Sequence, residues 1–291
     1  MYKYDIAASI VAYKNNHDII NAAVRSFLDT NLEVAILIID NSPSDILKQE
    51  LINDERVFYR FNGNNVGFSK AHNQGIQHFK DICKYFLVLN PDVYFDGITL
   101  STLYNYLESH PDTGLIAPKV LYPNGDIQTS RRLIPSPIDL FIRRMPFGKS
   151  LFSKRTDLNE YSNCDHNAVI EVPFLLGCFM LFRTSAINEV GMFDERYFVY
   201  LEDLDICRRF TTKYKVIYYG QAKIYHLYQR ASSKHLSMLM LHTVSMVKYF
   251  NKWGWISDKE RKKINKKAVA LIQESIIETP VSFSRKYAAT L

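Results

Sequence analysis

Val34-Ala35-Ile36-Leu37-Ile38-Ile39-Asp40 is an unbroken apolar run, largely β-branched, that stops at an acid. Such a run is typical of a strand buried on both faces, and two-sided burial is the habit of parallel sheets covered by helices. The flanking sequence repeats the theme. Asp5 to Ala12 is apolar and β-branched enough for a strand, and His17 to Leu28 carries helical spacing. Pro43 to Leu51 suits a short helix with Ser42 as its cap. Val57 to Phe61 predicts a third strand, Gly67 to Phe79 a helix, Tyr85 to Leu89 a fourth strand and Thr99 to Ser109 a further helix. Strands alternating with helices give an α/β fold with a largely parallel sheet. Ligands of such sheets sit beyond the carboxyl ends of the strands. Those ends carry Tyr13, Asp40 with Asn41, Asn64 with Asn65, and Asn90 with Asp92.

The second half is less regular. From Leu121 to Asn167 prolines recur at 123, 135, 137 and 146, which predicts an irregular excursion over the mouth of the site. Arg131, Arg132, Arg143, Arg144, Lys149, Lys154 and Arg155 fall in one stretch whose only acid is Asp139. Val172 to Phe182 reads as a buried strand, Asp203 to Thr212 as a helix, and Val216 to Tyr219 and Ile224 to His226 as short strands. His235 to Phe250 has helical spacing, and the last forty residues are basic, polar and helical in pattern.

Composition bounds the class. The 291 residues are 47% apolar with a net charge of +6, which fits one large globular domain with an appendage. No stretch reaches the roughly 18 apolar residues of a membrane span, and the first residues lack the pattern of a signal peptide. Cys83, Cys164, Cys178 and Cys207 have no paired metal spacing and read as reduced thiols of a cytosolic protein.

Two acidic signals carry chemistry. Tyr200-Leu201-Glu202-Asp203-Leu204-Asp205 packs three carboxylates into four residues after an apolar stretch, where burial tunes a general base. Leu89-Asn90-Pro91-Asp92 ends a strand in a polar triplet suited to a hard cation and its phosphate ligand. A cation-and-phosphate site with a separate base points to sugar transfer from a nucleotide-sugar.

Ser9 to Tyr13, Ile38 to Ser42, Asn64-Asn65-Val66-Gly67-Phe68 with Asn73-Gln74-Gly75, Leu89 to Asp92, the Gly177 segment, and Tyr200 to Asp205 with Arg208 occur in that order. Together they resemble inverting bacterial glycosyltransferases of family 2, over roughly Ile6 to Ser232. Within that family the chain looks most like the O-antigen and cell-wall rhamnosyltransferases. The resemblance implies a GT-A domain over 1–232, with a nucleotide half to about 120 and an acceptor half from about 121, followed by a helical basic extension over 233–291. It assigns the general base to Asp203, with Glu202 and Asp205 as rivals. It places the nucleotide against Ala12, Tyr13, Asp40, Asn41, Asn65, Gly67, Asn90 and Asp92. A Mg2+ or Mn2+ ion would be held by Asp92 and His226, with Ser232 or Ser233 following. The family's Asp-x-Asp triplet has Asn90 at its first place, leaving one carboxylate. Arg208 is expected to pair with Asp205, with a phosphate contact as the alternative.

The implied reaction is inverting transfer of a sugar, L-rhamnose from dTDP-L-rhamnose, to a hydroxyl of a lipid-linked surface glycan. A UDP-sugar donor is the alternative. A nucleotidyltransferase is a weaker rival, because the first loop, Tyr13-Lys14-Asn15-Asn16, has no glycine. A non-catalytic nucleotide-sugar-binding module has no need of Asp203, and no nucleic-acid recognition motif is present. The basic stretch from Lys252 to Lys267, with Trp253 and Trp255, predicts peripheral contact with the inner face of the cell membrane. The competing expectation for that extension is a helix packed on the domain or at a homodimer contact.

Overall fold

The computed structural model describes residues 2–143, 145, 147–227 and 236–277. The first half follows the predicted alternation: β1 (Tyr4–Ala12), α1 (His17–Leu28), β2 (Val34–Asp40), α2 (Leu47–Glu50), β3 (Val57–Phe61), α3 (Phe68–Phe79), β4 (Cys83–Leu89), β5 (Val93–Tyr94) and α4 (Gly97–Ser109). Then come β6 (Thr113–Leu121), β7 (Ile127–Gln128), β8 (Arg131–Arg132), α5 (Pro137–Ile142), α6 (Gly148–Leu151) and α7 (Ser153–Asn159). The chain continues through β9 (Val169–Glu171), β10 (Phe174–Leu175), β11 (Phe179–Arg183), α8 (Thr184–Val190), α9 (Glu202–Phe210) and β12 (Lys215–His226). Helices Leu236–Trp253 (α10) and Lys259–Ile277 (α11) follow.

Among the described residues the main sheet runs β3-β2-β1-β4-β11-β6-β12-β5, with β7 beside β6 and β9 beside β12. β3, β2, β1 and β4 are parallel, and β11 is antiparallel to both its neighbours. This is the mixed, largely parallel sheet of a GT-A fold. Alternation along β2 explains its apolar run: Ala35, Leu37 and Ile39 pack with α3, whereas Val34, Ile36 and Ile38 pack with α1.

Several local expectations change. Ser42 does not cap α2; its hydroxyl accepts the Lys14 N–H at 2.9 Å. The apolar run from 172 to 182 splits into β10 and β11, because Gly177 and Cys178 turn between them. The two short strands near 216 and 226 are one long strand with a shifted register between Tyr219 and Lys223. Its partner there is Pro118, which has no N–H to donate, so the irregularity falls where a regular ladder is impossible.

The C-terminal helices belong to the core. Tyr249, Phe250, Ala268 and Ile272 join the same buried cluster as Leu204, Ile206 and Phe210 of α9. Arg208 pairs with Asp258 through two contacts of 2.6 and 2.7 Å, and the guanidinium lies 4.1 Å from the Trp253 ring. The expected Arg208–Asp205 pair is therefore absent. Asp205 instead accepts from Arg209, one turn along, and meets Trp253 Nε1 and Lys252 Nζ, each at 2.7 Å. The Trp253 indole N–H is thereby turned to the buried Asp205 carboxylate, while Trp255 remains 40% exposed. The expected boundary at 232 falls outside the described residues.

Candidate active site

The nucleotide-side residues gather at the carboxyl ends of β1 and β2 and before α3. Asn41 N donates to Ala12 O at 2.8 Å, which sets the two strand ends level. Asp40 is fully buried; one oxygen accepts the Tyr59 hydroxyl and the other the Ser42 N–H, both at 2.8 Å. Asn62, Asn41 and Asn65 form a chain of amide hydrogen bonds, and Asn65 Oδ1 also accepts the Gly67 N–H. Gly67 has φ +86°, and a Cβ there would lie 2.6 Å from the Phe198 carbonyl oxygen. Only glycine tolerates both the backbone angle and that approach. Tyr13 stands 47% exposed beyond β1, free to lie over a ring.

A second group forms where β4, β5 and β12 end. His226 Nε2 lies 3.3 Å from Asp92 Oδ1 and 3.5 Å from the Asn90 amide nitrogen, while its Nδ1 meets Gln128 Oε1 at 2.8 Å. Burial opposes a charge on His226, but Cys178 and Asp92 beside it prevail, and its pKa is pushed up to about 10. Gln128 fixes the ring from behind, the supporting contact that metal-binding histidines usually have. Nothing local in the sequence marks it, since β7 is two residues long and pairs only through β6.

Two ligands on adjacent vertices of an octahedral ion, at bonds of about 2.1 Å, stand about 3 Å apart. Asp92 and His226 have that spacing, so the pair fits one divalent cation. Among the described residues no three His, Cys, Asp or Glu side chains converge. A cation here would therefore draw its other ligands from phosphate oxygens and water, as Mg2+ commonly does. Metal binding would also have to displace the proton of His226. Ser232 and Ser233 lie outside the described residues.

The third group is carried by α9. Tyr200 and Leu201 take φ of +70° and +65° immediately before it, two successive left-handed residues with side chains. Strain of this kind persists where surrounding structure over-determines it, often at functional sites. It delivers Glu202 and Asp203 to the first turn of the helix. Asp203 is half-buried; its oxygens accept the N–H groups of Gly177 at 3.1 Å and Leu204 at 2.8 Å. Burial raises its pKa, and those two N–H groups with the charge of Arg132 hold the rise in check. Glu202 is pushed well above the usual carboxylate range by burial and by the Asp203 charge. Asp205 points away into the α10 contact already described.

The Gly177–Cys178 turn joins the last two groups. Gly177 N holds Asp203, and Cys178 O accepts the Asn90 N–H at 2.9 Å. Asn90, His226, Glu202 and Asp203 consequently line one cleft of about 330 Å³. Its far wall comes from the 131–160 excursion, with Arg132, Leu140, Ile142 and Arg143 among the lining side chains. Arg132 and Arg143 approach Glu160 at 3.9 and 4.0 Å, so the wall keeps a positive excess. Arg131, by contrast, is buried over Tyr218 and donates to the carbonyls of Cys164 and Asp165.

The site thus combines polar strand ends, a carboxylate–imidazole pair and an acidic start to α9. Residues 9–191 match the model of glycosyl transferase family 2, and the chain belongs to that family. The match stops short of α9, so Glu202 and Asp203 lie beyond it. The chain is 27% identical over 218 residues to the N-acetylglucosaminyl-diphospho-decaprenol L-rhamnosyltransferase of Mycobacterium tuberculosis, covering 68% of each. It is 26% identical over 208 residues to rhamnosyltransferase WbbL of Escherichia coli K12, covering 69% of this chain and 75% of the relative. The low-salt glycan biosynthesis hexosyltransferase Agl10 of Haloferax volcanii is 27% identical over 207 residues, with 70% and 61% covered. The crystal structure of GalNAc-T7 with UDP, GalNAc and Mn2+ shares the fold at a TM-score of 0.62 and 15% identity. That likeness spans 94% of this chain and 57% of the GalNAc-T7 chain. Among the described residues no helix is long and apolar enough to cross a membrane.

Proposed function

We propose that this glycosyltransferase moves L-rhamnose from dTDP-L-rhamnose to a hydroxyl of a polyprenyl-linked glycan, with inversion, in the assembly of a surface polysaccharide such as O-antigen. The carrying observation is the Asp203 carboxylate, held at the floor of the cleft that Asn90 and His226 also line. One suitably placed base is what an inverting transfer asks of the acceptor side. Asp203 Oδ takes the acceptor hydroxyl proton as the new glycosidic bond forms and the bond to the donor diphosphate breaks. Its raised pKa makes it a better proton acceptor than an exposed aspartate while leaving it the more acidic of the pair with Glu202. Burial and the Asp203 charge push the Glu202 carboxyl toward its neutral form.

On the donor side Asp40 reads the base, Tyr13 covers it, and Ala12, Asn41, Asn65 and Gly67 shape the strand ends around it. Asn90 and Asp92 meet the sugar and diphosphate. Asp92 and His226 would hold Mg2+ or Mn2+, which when bound neutralises charge on the departing diphosphate. The rhamnosyl donor and the lipid-linked acceptor are supported by the names of the Mycobacterium and Escherichia relatives. A UDP-hexose donor is the second reading; the Haloferax relative's name supports its hexosyl part alone. On this reading the protein works in the cytoplasm, peripheral at the inner membrane face. A donor panel decides between the readings. Nucleoside diphosphate release from dTDP-L-rhamnose that rises with a lipid-linked acceptor is expected, whereas release from UDP-hexoses alone overturns the rhamnosyl assignment.

A further inference from the structure

The excursion that walls the cleft is built inside out. Helix α5 turns Leu140 and Ile142 into the cleft, yet Ile138 and Phe141 stand 61% and 65% exposed on its other side. Beyond it Phe147 is 87% exposed and Leu151 73% exposed. Eight large apolar side chains exceed 60% exposure among the described residues, and these four fall within residues 138–151. A scattered exposed leucine needs no explanation, but a concentration of this kind marks an interaction surface.

Loose packing is not its cause. Ser136 and Asp139 form a reciprocal cap at the start of α5. Asp139 then accepts from Arg155 Nε at 2.5 Å and Asn159 Nδ2 at 2.9 Å, which ties α5 to α7. Phe147 holds φ +60°, a costly angle for a phenylalanine, with its ring in solvent. The charge around the patch is one-sided. Between 137 and 160 the sequence carries five basic residues against three acids; Arg155 pairs with Asp139 and Arg143 approaches Glu160, which leaves Arg144, Lys149 and Lys154 against Asp157 in the sequence. Protruding Phe, Ile and Leu among Arg and Lys are the composition that inserts at an anionic bilayer surface.

We infer that the outward-facing side chains of Ile138, Phe141, Phe147 and Leu151 dock on an anionic phospholipid bilayer and bring the mouth of the cleft to the lipid surface. The inference deepens the proposed lipid-linked acceptor, since α5 is both the docking face and a wall of the cleft. It adds a membrane contact separate from the basic stretch that carries Trp253 and Trp255.

The test needs neither donor nor acceptor. Full-length protein is sedimented with vesicles of phosphatidylcholine containing about a quarter phosphatidylglycerol, and with pure phosphatidylcholine, at about 50 and 500 mM salt. Binding is expected to the anionic vesicles alone and to weaken in high salt. Phe147→Ser with Leu151→Ser should lower the partition by about tenfold or more. Lys154→Glu should lower it severalfold. All three positions lie outside the cleft lining, so the melting temperature and turnover on a short soluble acceptor should stay at wild-type levels. Wild-type protein that ignores anionic vesicles at low salt overturns the inference, as does equal binding by the variants. A dimer in sedimentation velocity that the serine variant dissolves, without vesicle binding, assigns the face to a second copy and also overturns it. Vesicle binding by a protein inactive with dTDP-L-rhamnose would overturn the functional reading and leave the docking face standing.

Discussion

Replacing Asp258 tests whether the last two helices belong to the catalytic unit. The Arg208 and Asp258 side chains are 1% and 3% exposed and meet through two short contacts. Removing one partner of a buried pair leaves a desolvated charge and costs about 3–5 kcal/mol. Asp258 also accepts the Arg261 N–H at 2.9 Å and so caps α11, which adds about 1 kcal/mol. Asp258→Ala should therefore lose about 4–6 kcal/mol, a large share of the roughly 5–15 kcal/mol that holds a domain folded. Asp258→Asn keeps the capping oxygen and should lose about 1 kcal/mol less. With a urea slope of about 3 kcal/mol/M, either variant lowers the unfolding midpoint by about 1 M or more. Burial works against the Asp258 charge, but the Arg208 contacts win and its pKa falls below the ordinary value. A depressed carboxylate contributes stability above its unfolded pKa, and that contribution fades as pH falls through the folded one. The gap between wild type and Asp258→Asn should hence be full near neutrality and shrink below the ordinary aspartate range. Truncation after Phe250 removes Asp258, Trp253 and Lys252 together, so it should yield insoluble protein. A loss under about 1 kcal/mol for Asp258→Ala would refute the reasoning and restore α11 as an independent appendage.

Asp203→Asn should bind donor nucleotide normally by calorimetry yet lose about 10²–10⁴ in transfer rate, and wild-type turnover would remove it from the base role. Because burial and the Asp203 charge favour the neutral form of Glu202, Glu202→Gln should stay within a few-fold of wild type; loss comparable to that of Asp203→Asn would reverse the two roles. The pH–rate profile should fall on its acid side at a pH above the ordinary aspartate value, because Asp203 must be ionised and burial raises its pKa. An acid limb at the ordinary value would argue for an exposed base. Asp92→Ala should weaken nucleotide binding in Mn2+ but change little in EDTA, and equal affinities of wild type and variant under both conditions would end the metal assignment.

Chain order and local periodicity made the nucleotide half legible, because its strands and helices are each stabilised by neighbours in sequence. Val34 to Ile39 alternates between two cores, and both α1 and α3 lie within forty residues of it. The missing strand β6 shows the limit. Thr113 to Leu121 contains Gly114 and Pro118, which depress strand propensity, and it is held by β11 and β12, far along the chain. The acidic triplet shows the same limit at the site. Glu202, Asp203 and Asp205 are equivalent as letters, and only packing separates them. Asp205 meets Trp253, Lys252 and Arg209 and so serves the fold; Asp203 meets two backbone N–H groups at the cleft floor. Asp205 is committed to the packing of α9 on α10, whereas Asp203 stays on the cleft lining, where burial raises its pKa. The C-terminal helices decide which acid is which, because α10 supplies the partners that occupy Asp205. On the proposed mechanism the choice of base then rests partly in a segment beyond the matched family region, with the Asp205–Trp253 contact helping to orient α9.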